Sequence, residues 1–113
     1  MEKVQTLIAN LSRKGTIIVQ NRICKAVLQL LIQEDFVKVK KLSNNRYKIQ
    51  ELSFSNIVVV NRRPIRAEEL LDYATTVCPS ISGSVLISTD KGIMTHQEAS
   101  EKNLGGRVMA IVY

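Results

Sequence analysis

The chain has 113 residues, with 16 Lys and Arg against 10 Asp and Glu, so its formal net charge is +6 at pH 7. Hydrophobic residues make up 45% of it, which supports a folded core and excludes a disordered tail. No apolar run approaches the ~20 residues that span a bilayer, and we see no signal peptide. The N-terminus is not Arg- and Ser-rich, so an organellar presequence is either absent or already removed. The excess of cations favours an anionic partner, nucleic acid ahead of an anionic membrane, over charge that only keeps the protein soluble.

The sequence offers little enzymatic or metal chemistry. Cys24 and Cys78 lie far apart without the spacing of zinc ligands, so buried reduced thiols are expected, with a disulfide or a zinc site as the alternative. His96 is the only histidine, and no Gly-x-Ser-x-Gly motif accompanies it. The pair Gly105-Gly106 lacks the Lys-Ser or Lys-Thr of a phosphate-binding loop. We therefore expect no enzyme, no cofactor, no metal and no small-molecule substrate.

The N-terminal part of the chain predicts the order helix, strand, helix. Apolar residues at helical spacing predict helices over residues 3–12 and from Arg22 onward. The β-branched stretch 16–20 between them predicts a strand, and Asn21 is a candidate N-cap for the second helix. Two cations, Arg13 and Lys14, follow the first helix, where they either complete its C-terminus or contact phosphate.

Residues 36–50 predict a hairpin with one basic face. A three-residue loop would set Val39 opposite Ile49 and Lys40 opposite Lys48, whereas a two-residue loop would mix the two faces. The exposed face should then carry four cations and no acid: Lys38, Lys40, Arg46 and Lys48. Because like charges across a sheet repel, this face is either simply solvated or covered by an anionic partner.

The middle of the chain predicts a connection at 51–55, an aliphatic strand at 57–60 and a helix at 67–76. A stiff basic loop should join the strand to the helix, with three arginines around a proline: Arg62, Arg63, Pro64 and Arg66. This loop is either an exposed turn or a contact to nucleic acid or to another part of the chain. The helix carries the one acidic patch, which should face away from nucleic acid and toward a neighbouring protein.

The last quarter of the chain predicts a strand at 84–88 and a turn that ends at Gly92, a residue able to take a positive φ. A Thr-x-x-Glu pattern then predicts a capping box between Thr95 and Glu98 and a short helix that starts at His96.

A double glycine should stop that helix, and residues 107–113 should form a closing strand. The elements therefore predict a compact unit of strand, turn, short helix and strand.

This unit resembles the C-terminal signature of the bacterial-type ribosomal protein S8 family of the small subunit. The residues that match in order are Ser88, Thr89, Gly92, Met94, Thr95, Ala99, Gly105, Gly106 and Tyr113. Arg63, Pro64 and Arg66 are similar to a further motif of that family. The chain departs at Asp90, Ser100 and Arg107, where the family usually has Ser, Arg and Glu.

The resemblance implies an α+β protein of two small lobes. An α-β-α-β-β lobe should occupy residues 1–55, and a mainly β lobe with short helices should occupy 56–113. It also implies a structural constituent of the small ribosomal subunit that binds the central domain of its RNA and supports assembly and translation. Its partners would be that RNA and neighbouring ribosomal proteins, with no membrane.

The divergent signature favours a mitochondrial or plastid ribosome over a cytoplasmic one. Basic side chains would hold phosphates, while short hydroxyl side chains and backbone groups would read a shallow minor groove. The residues expected to bind RNA are Ser88, Thr89, Lys91, Gly92, Gly105, Gly106, Arg62, Arg63, Arg66, Arg13, Lys14, Lys38, Lys40 and Lys48. The alternative is a protein-interaction module whose basic surface is incidental.

Overall fold

A computed structural model describes residues 15–19, 21–78 and 83–113, with the backbone alone at 61–62. The described chain contains seven strands, three α-helices and one short 3-10 helix, which confirms the predicted α+β class. It divides into two compact units, Met1–Phe54 and Ser55–Tyr113. The predicted helix over 3–12 and the cations Arg13 and Lys14 lie outside the described residues. No helix in the described ranges is long and apolar enough to cross a membrane.

In its described residues, the first unit consists of an antiparallel sheet and one helix. The strands lie in the order β1-β3-β2, and their bounds are β1 Thr16–Ile18, β2 Val37–Ser43 and β3 Arg46–Leu52. Helix α1 spans Arg22–Gln33 and buries a stripe of apolar residues along one side. The side chain of Asn21 accepts a hydrogen bond from the Cys24 N–H at 2.8 Å, which confirms the predicted N-cap.

The hairpin reaches its predicted register by a different loop. Val39 pairs with Ile49 and Lys40 with Lys48, as predicted. Ser43 pairs with Arg46, however, so the loop has two residues and the predicted three-residue loop is wrong. An extra residue in β2 before Ser43 forms a bulge, and this bulge keeps the two faces uniform despite the shorter loop.

The second unit is a four-stranded antiparallel sheet in the order β4-β7-β5-β6. Its elements are β4 Ile57–Ile65, a 3-10 helix Ala67–Glu69, α2 Leu70–Val77, β5 Ser84–Thr89, β6 Gly92–Thr95, α3 His96–Glu101 and β7 Gly106–Val112. A cluster of buried apolar side chains joins the helices to the sheet: Ile65, Leu70, Ala74, Val85, Ile87, Met94, Ala99, Val108 and Ile111. This core fixes α2 beside the edge strand β4.

The predicted basic loop is part of a strand. β4 continues to Ile65, and it contains two more residues than β7 between the pairs Val59–Ala110 and Arg63–Val108. Pro64 is tolerated because β4 is an edge strand, where a missing N–H does not break the interior of the sheet. The chain also stays in β3 as far as Leu52, so the connection predicted at 51–55 begins too early.

The short helix α3 starts where the sequence predicted and ends earlier than expected. Thr95 Oγ1 accepts from the Glu98 N–H at 3.3 Å, which confirms the N-cap. The Glu98 carboxylate lies 3.4 Å from the Lys102 ammonium instead of closing the capping box. Asn103 takes a φ of 55°, and the Leu104 N–H donates to the Ala99 carbonyl at 2.9 Å. This Schellman-type turn stops the helix before the double glycine, so that prediction is wrong.

Candidate nucleic-acid interface

Three neighbouring strands of the second unit place a proline, an arginine and a serine side by side. Pro64 in β4 pairs with Arg107 in β7, and Arg107 pairs in turn with Ser88 in β5. This row borders a surface cavity of about 320 Å³, which we name the strand-end cleft. Its lining residues are Pro64, Ser88, Thr89, Asp90, Gly106 and Arg107.

The double glycine is required for packing inside the protein. A Cβ on Gly106 would overlap the Ser88 carbonyl oxygen, and a Cβ on Gly105 would lie 2.7 Å from the Ile65 carbonyl oxygen. Both positions therefore allow β7 to approach its neighbours closely. The sequence predicted backbone approach to RNA here, but the close approach that demands glycine is to β4 and β5.

The turn beside the cleft uses the Thr89 hydroxyl for its own structure. Thr89 pairs with Gly92 across the turn, and Gly92 takes the predicted positive φ, at 116°. Thr89 Oγ1 donates to the Gly92 carbonyl at 2.8 Å and accepts from the Lys91 N–H at 3.1 Å. The single hydroxyl proton is thus already donated, and one acceptor lone pair remains. Ser88, which is half-buried, is the other hydroxyl of this pair.

A second positive surface lies on the exposed side of the three-stranded sheet. Lys40 and Lys48 face each other across β2 and β3, and Thr16 of β1 completes the row. Lys38 instead pairs with Glu51, with 3.6 Å between Nζ and Oε2, so the prediction that no acid shares this face is wrong. We name Lys40, Arg46 and Lys48, all exposed and without an ion pair to the described residues, the basic sheet face.

The two described arginine side chains near Pro64, those of Arg63 and Arg66, have different partners. The Arg63 guanidinium lies over the Tyr73 ring, 5.0 Å from its centroid, on the side of the sheet where α2 packs. The Arg66 N–H donates to Glu69 Oε1 at 3.0 Å, and its guanidinium lies 4.0 Å from Glu68. The side chain of Arg62 lies outside the described atoms.

His96 has a structural partner. Its Nδ1 accepts a hydrogen bond from the Val85 N–H at 3.0 Å, and its side chain is buried. Burial lowers the pKa of His96, which favours the neutral ring that can accept this bond. Cys24 is buried and Cys78 half-buried, both as free thiols, and burial raises the pKa of Cys78. No group of acids, cysteines and histidine within the described ranges is arranged to hold a metal ion.

Sequence reasoning missed Pro64 and Arg107 as neighbours of Ser88. Their proximity depends on the strand order β4-β7-β5, which joins distant segments and leaves no local pattern. In the sequence, only the departure from the family signature at Arg107 pointed to this residue as part of the site.

Comparison with known proteins places this chain in a family. The model of the family "Ribosomal protein S8" matches residues 5–113. The small ribosomal subunit protein uS8 of Nanoarchaeum equitans is 31% identical, over 94% of this chain and 91% of its own length. The protein uS8c of Lepidium virginicum is 28% identical, over 93% and 89% respectively. The uS8 of Pyrobaculum neutrophilum is 30% identical, over 82% and 77%. The match over nearly the whole length means that this chain belongs to the ribosomal protein S8 family.

Proposed function

We propose that this protein is a constituent of the small ribosomal subunit and binds the central domain of its RNA, in support of assembly and translation. The strand-end cleft carries the proposal. It combines a hydroxyl at Ser88, a guanidinium at Arg107 and a rigid proline in one concave surface. Such short polar groups suit the shallow minor groove of an RNA helix, where 2′-hydroxyls and base edges are accessible.

Within this cleft, the two hydroxyls have different roles. Thr89 holds the turn, because its proton is donated to Gly92 and it accepts from Lys91. Ser88 is then the hydroxyl that contacts RNA, since it has no hydrogen bond to another described side chain. The carboxylate of Asp90 limits this contact, because it repels phosphate and cannot donate a hydrogen bond while ionised.

Glycines and cations complete the proposed surface. Gly92, Gly105 and Gly106 offer backbone without side chains beside the turn and the cleft, and Lys91 adds a charge at the turn. The basic sheet face of the first unit supplies phosphate contacts that carry no sequence information. The further proposed phosphate contacts are Lys38, Arg13, Lys14, Arg62, Arg63 and Arg66. Three of them, Lys38, Arg63 and Arg66, also contact protein groups.

We also propose the compartment of the ribosome that contains this protein. Asp90, Ser100 and Arg107 depart from the bacterial-type signature, which supports a mitochondrial or plastid ribosome. Co-sedimentation of the protein with small subunits from separated organelles, and its absence from cytoplasmic subunits, is the expected result. Recovery in cytoplasmic subunits alone would overturn this part.

The RNA proposal is tested by titrating the full chain against a small-subunit central-domain fragment and against a plain duplex. We expect tighter binding to the fragment and a steep loss of affinity between about 50 and about 300 mM salt, because bound counterions are released. Ser88→Ala should weaken binding to the fragment and leave binding to the duplex unchanged.

A double change of Lys40 and Lys48 to Ala should weaken both interactions and reduce the log-log salt slope by about 2. Lys102→Ala is the matched control, because that lysine already pairs with Glu98. An affinity that is the same at every salt concentration and in all of these variants would instead favour the protein-interaction module.

A further inference from the structure

A groove on the opposite side of the second unit has an apolar floor. It lies between α2 and the edge strand β4 and encloses about 360 Å³. Ile65, Tyr73 and Val77 provide the apolar lining, and Ile65 is nearly fully buried beneath it. Thr76 of α2 also lines the groove, and it is exposed. We name this surface the α2–β4 groove.

The rim of the α2–β4 groove is acidic. Glu68, Glu69 and Asp72 line it, and all three are exposed. The ion pair recorded at this rim is loose, with 4.0 Å between Arg66 Nη1 and Glu68 Oε1 and both side chains mostly in solvent. In a chain of net charge +6, this is a local reversal of sign.

One cation of the protein itself already lies in this groove. The guanidinium of Arg63 lies 5.0 Å from the centroid of the Tyr73 ring, within the same cavity. An aromatic face bordered by carboxylates attracts a cation both through the ring quadrupole and through charge. An arginine from another chain would meet the three carboxylates along the rest of the rim.

We infer that the α2–β4 groove binds a basic segment of a neighbouring protein, in which arginine or lysine residues alternate with aliphatic ones. The cations would pair with the acidic rim, while the aliphatic side chains would cover the apolar floor. RNA is disfavoured inside the groove because its three carboxylates outnumber the two arginines beside them, Arg63 and Arg66, and repel phosphates. The inference rests on the proposed function in one respect, namely that the protein lies among other proteins in a ribosomal subunit.

The test replaces Thr76, an exposed residue of the groove lining, with the photoreactive residue p-benzoylphenylalanine in small subunits that contain this protein. We expect a crosslink to protein, and sequencing of the crosslinked peptide should give a segment with at least two cations interspersed with aliphatic residues. A crosslink to RNA, a crosslink to a peptide without cations, or no crosslink in subunits that contain the protein would overturn the inference.

A charge variant tests the reason for binding. The double change Glu68→Gln and Asp72→Asn should reduce the crosslink yield at least fivefold, and thermal unfolding should show that these exposed changes leave the fold intact. Glu101→Gln is the control, because Glu101 is an exposed acid on α3 outside the groove. An undiminished yield in the double variant would overturn the charge argument. Titration with the RNA fragment separates the two proposals. If the crosslink fails while RNA binding is normal, the inference about the groove is wrong and the proposed function still stands.

Discussion

Acidification should weaken this fold through one residue, His96. The Nδ1 atom of His96 accepts the Val85 N–H at 3.0 Å, and the residue is only 7% exposed. A protonated ring carries a proton on both nitrogens and can no longer accept that bond. Because Val85 lies in the central strand β5 and is fully buried, its N–H would then have no partner from this side chain.

The direction of the effect follows from the pKa. Burial lowers the pKa of His96 in the folded protein from its ordinary value of 6.5. Between the two values the unfolded chain binds more protons than the folded one, so the free energy of unfolding decreases as the pH falls through that window. The contribution is complete above the unfolded pKa. Its size is bounded by the cost of an unsatisfied buried N–H, about 1–3 kcal/mol.

Urea unfolding of the wild type and of His96→Asn, from about pH 7.5 to about pH 5, measures this contribution. The Asn side chain can offer an oxygen near the Nδ1 position and does not titrate, so its stability should be nearly independent of pH in this range. Carboxylates contribute little to a change there, since most titrate near or below pH 4.5, and no second histidine is present. If the two proteins lose stability in parallel, the reasoning about His96 is wrong.

Two further predictions concern local packing. Thr95→Ala should lower the free energy of unfolding by about 1 kcal/mol, because the Glu98 N–H loses its acceptor; Glu98→Gln, the control, should be nearly neutral, and an unchanged melting temperature for Thr95→Ala would contradict the cap. Gly106→Ala should cost about 1–3 kcal/mol, because the added Cβ overlaps the Ser88 carbonyl and forces β7 away from β5. Chemical denaturation measures it, and stability equal to the wild type would show that β7 can shift without cost.

The family assignment also agrees with the expectation about activity. The ribosomal protein S8 family is structural and not enzymatic, as the sequence predicted for this chain. The Thr89 hydroxyl and the His96 imidazole both have structural partners. Thr89 holds a turn, and His96 accepts a backbone N–H.

The amino-acid sequence by itself determined the features that depend on near neighbours. The caps at Asn21 and Thr95 and the positive φ at Gly92 each involve groups within a few residues. Such local hydrogen bonds and backbone preferences leave a readable pattern. The pairing of Val39 with Ile49 was also predictable, because the two faces of a strand must differ in polarity.

Only the tertiary structure decided what surrounds the candidate site. The order β4-β7-β5 brings Pro64, Arg107 and Ser88 together, and the packing of α2 on the same sheet turns Arg63 toward Tyr73. The close pairing of β7 with β5 also explains why residue 106 must be glycine. These contacts join segments far apart in the chain, and they form because the shared apolar core fixes sheet order and helix position. No pattern of neighbouring residues encodes them.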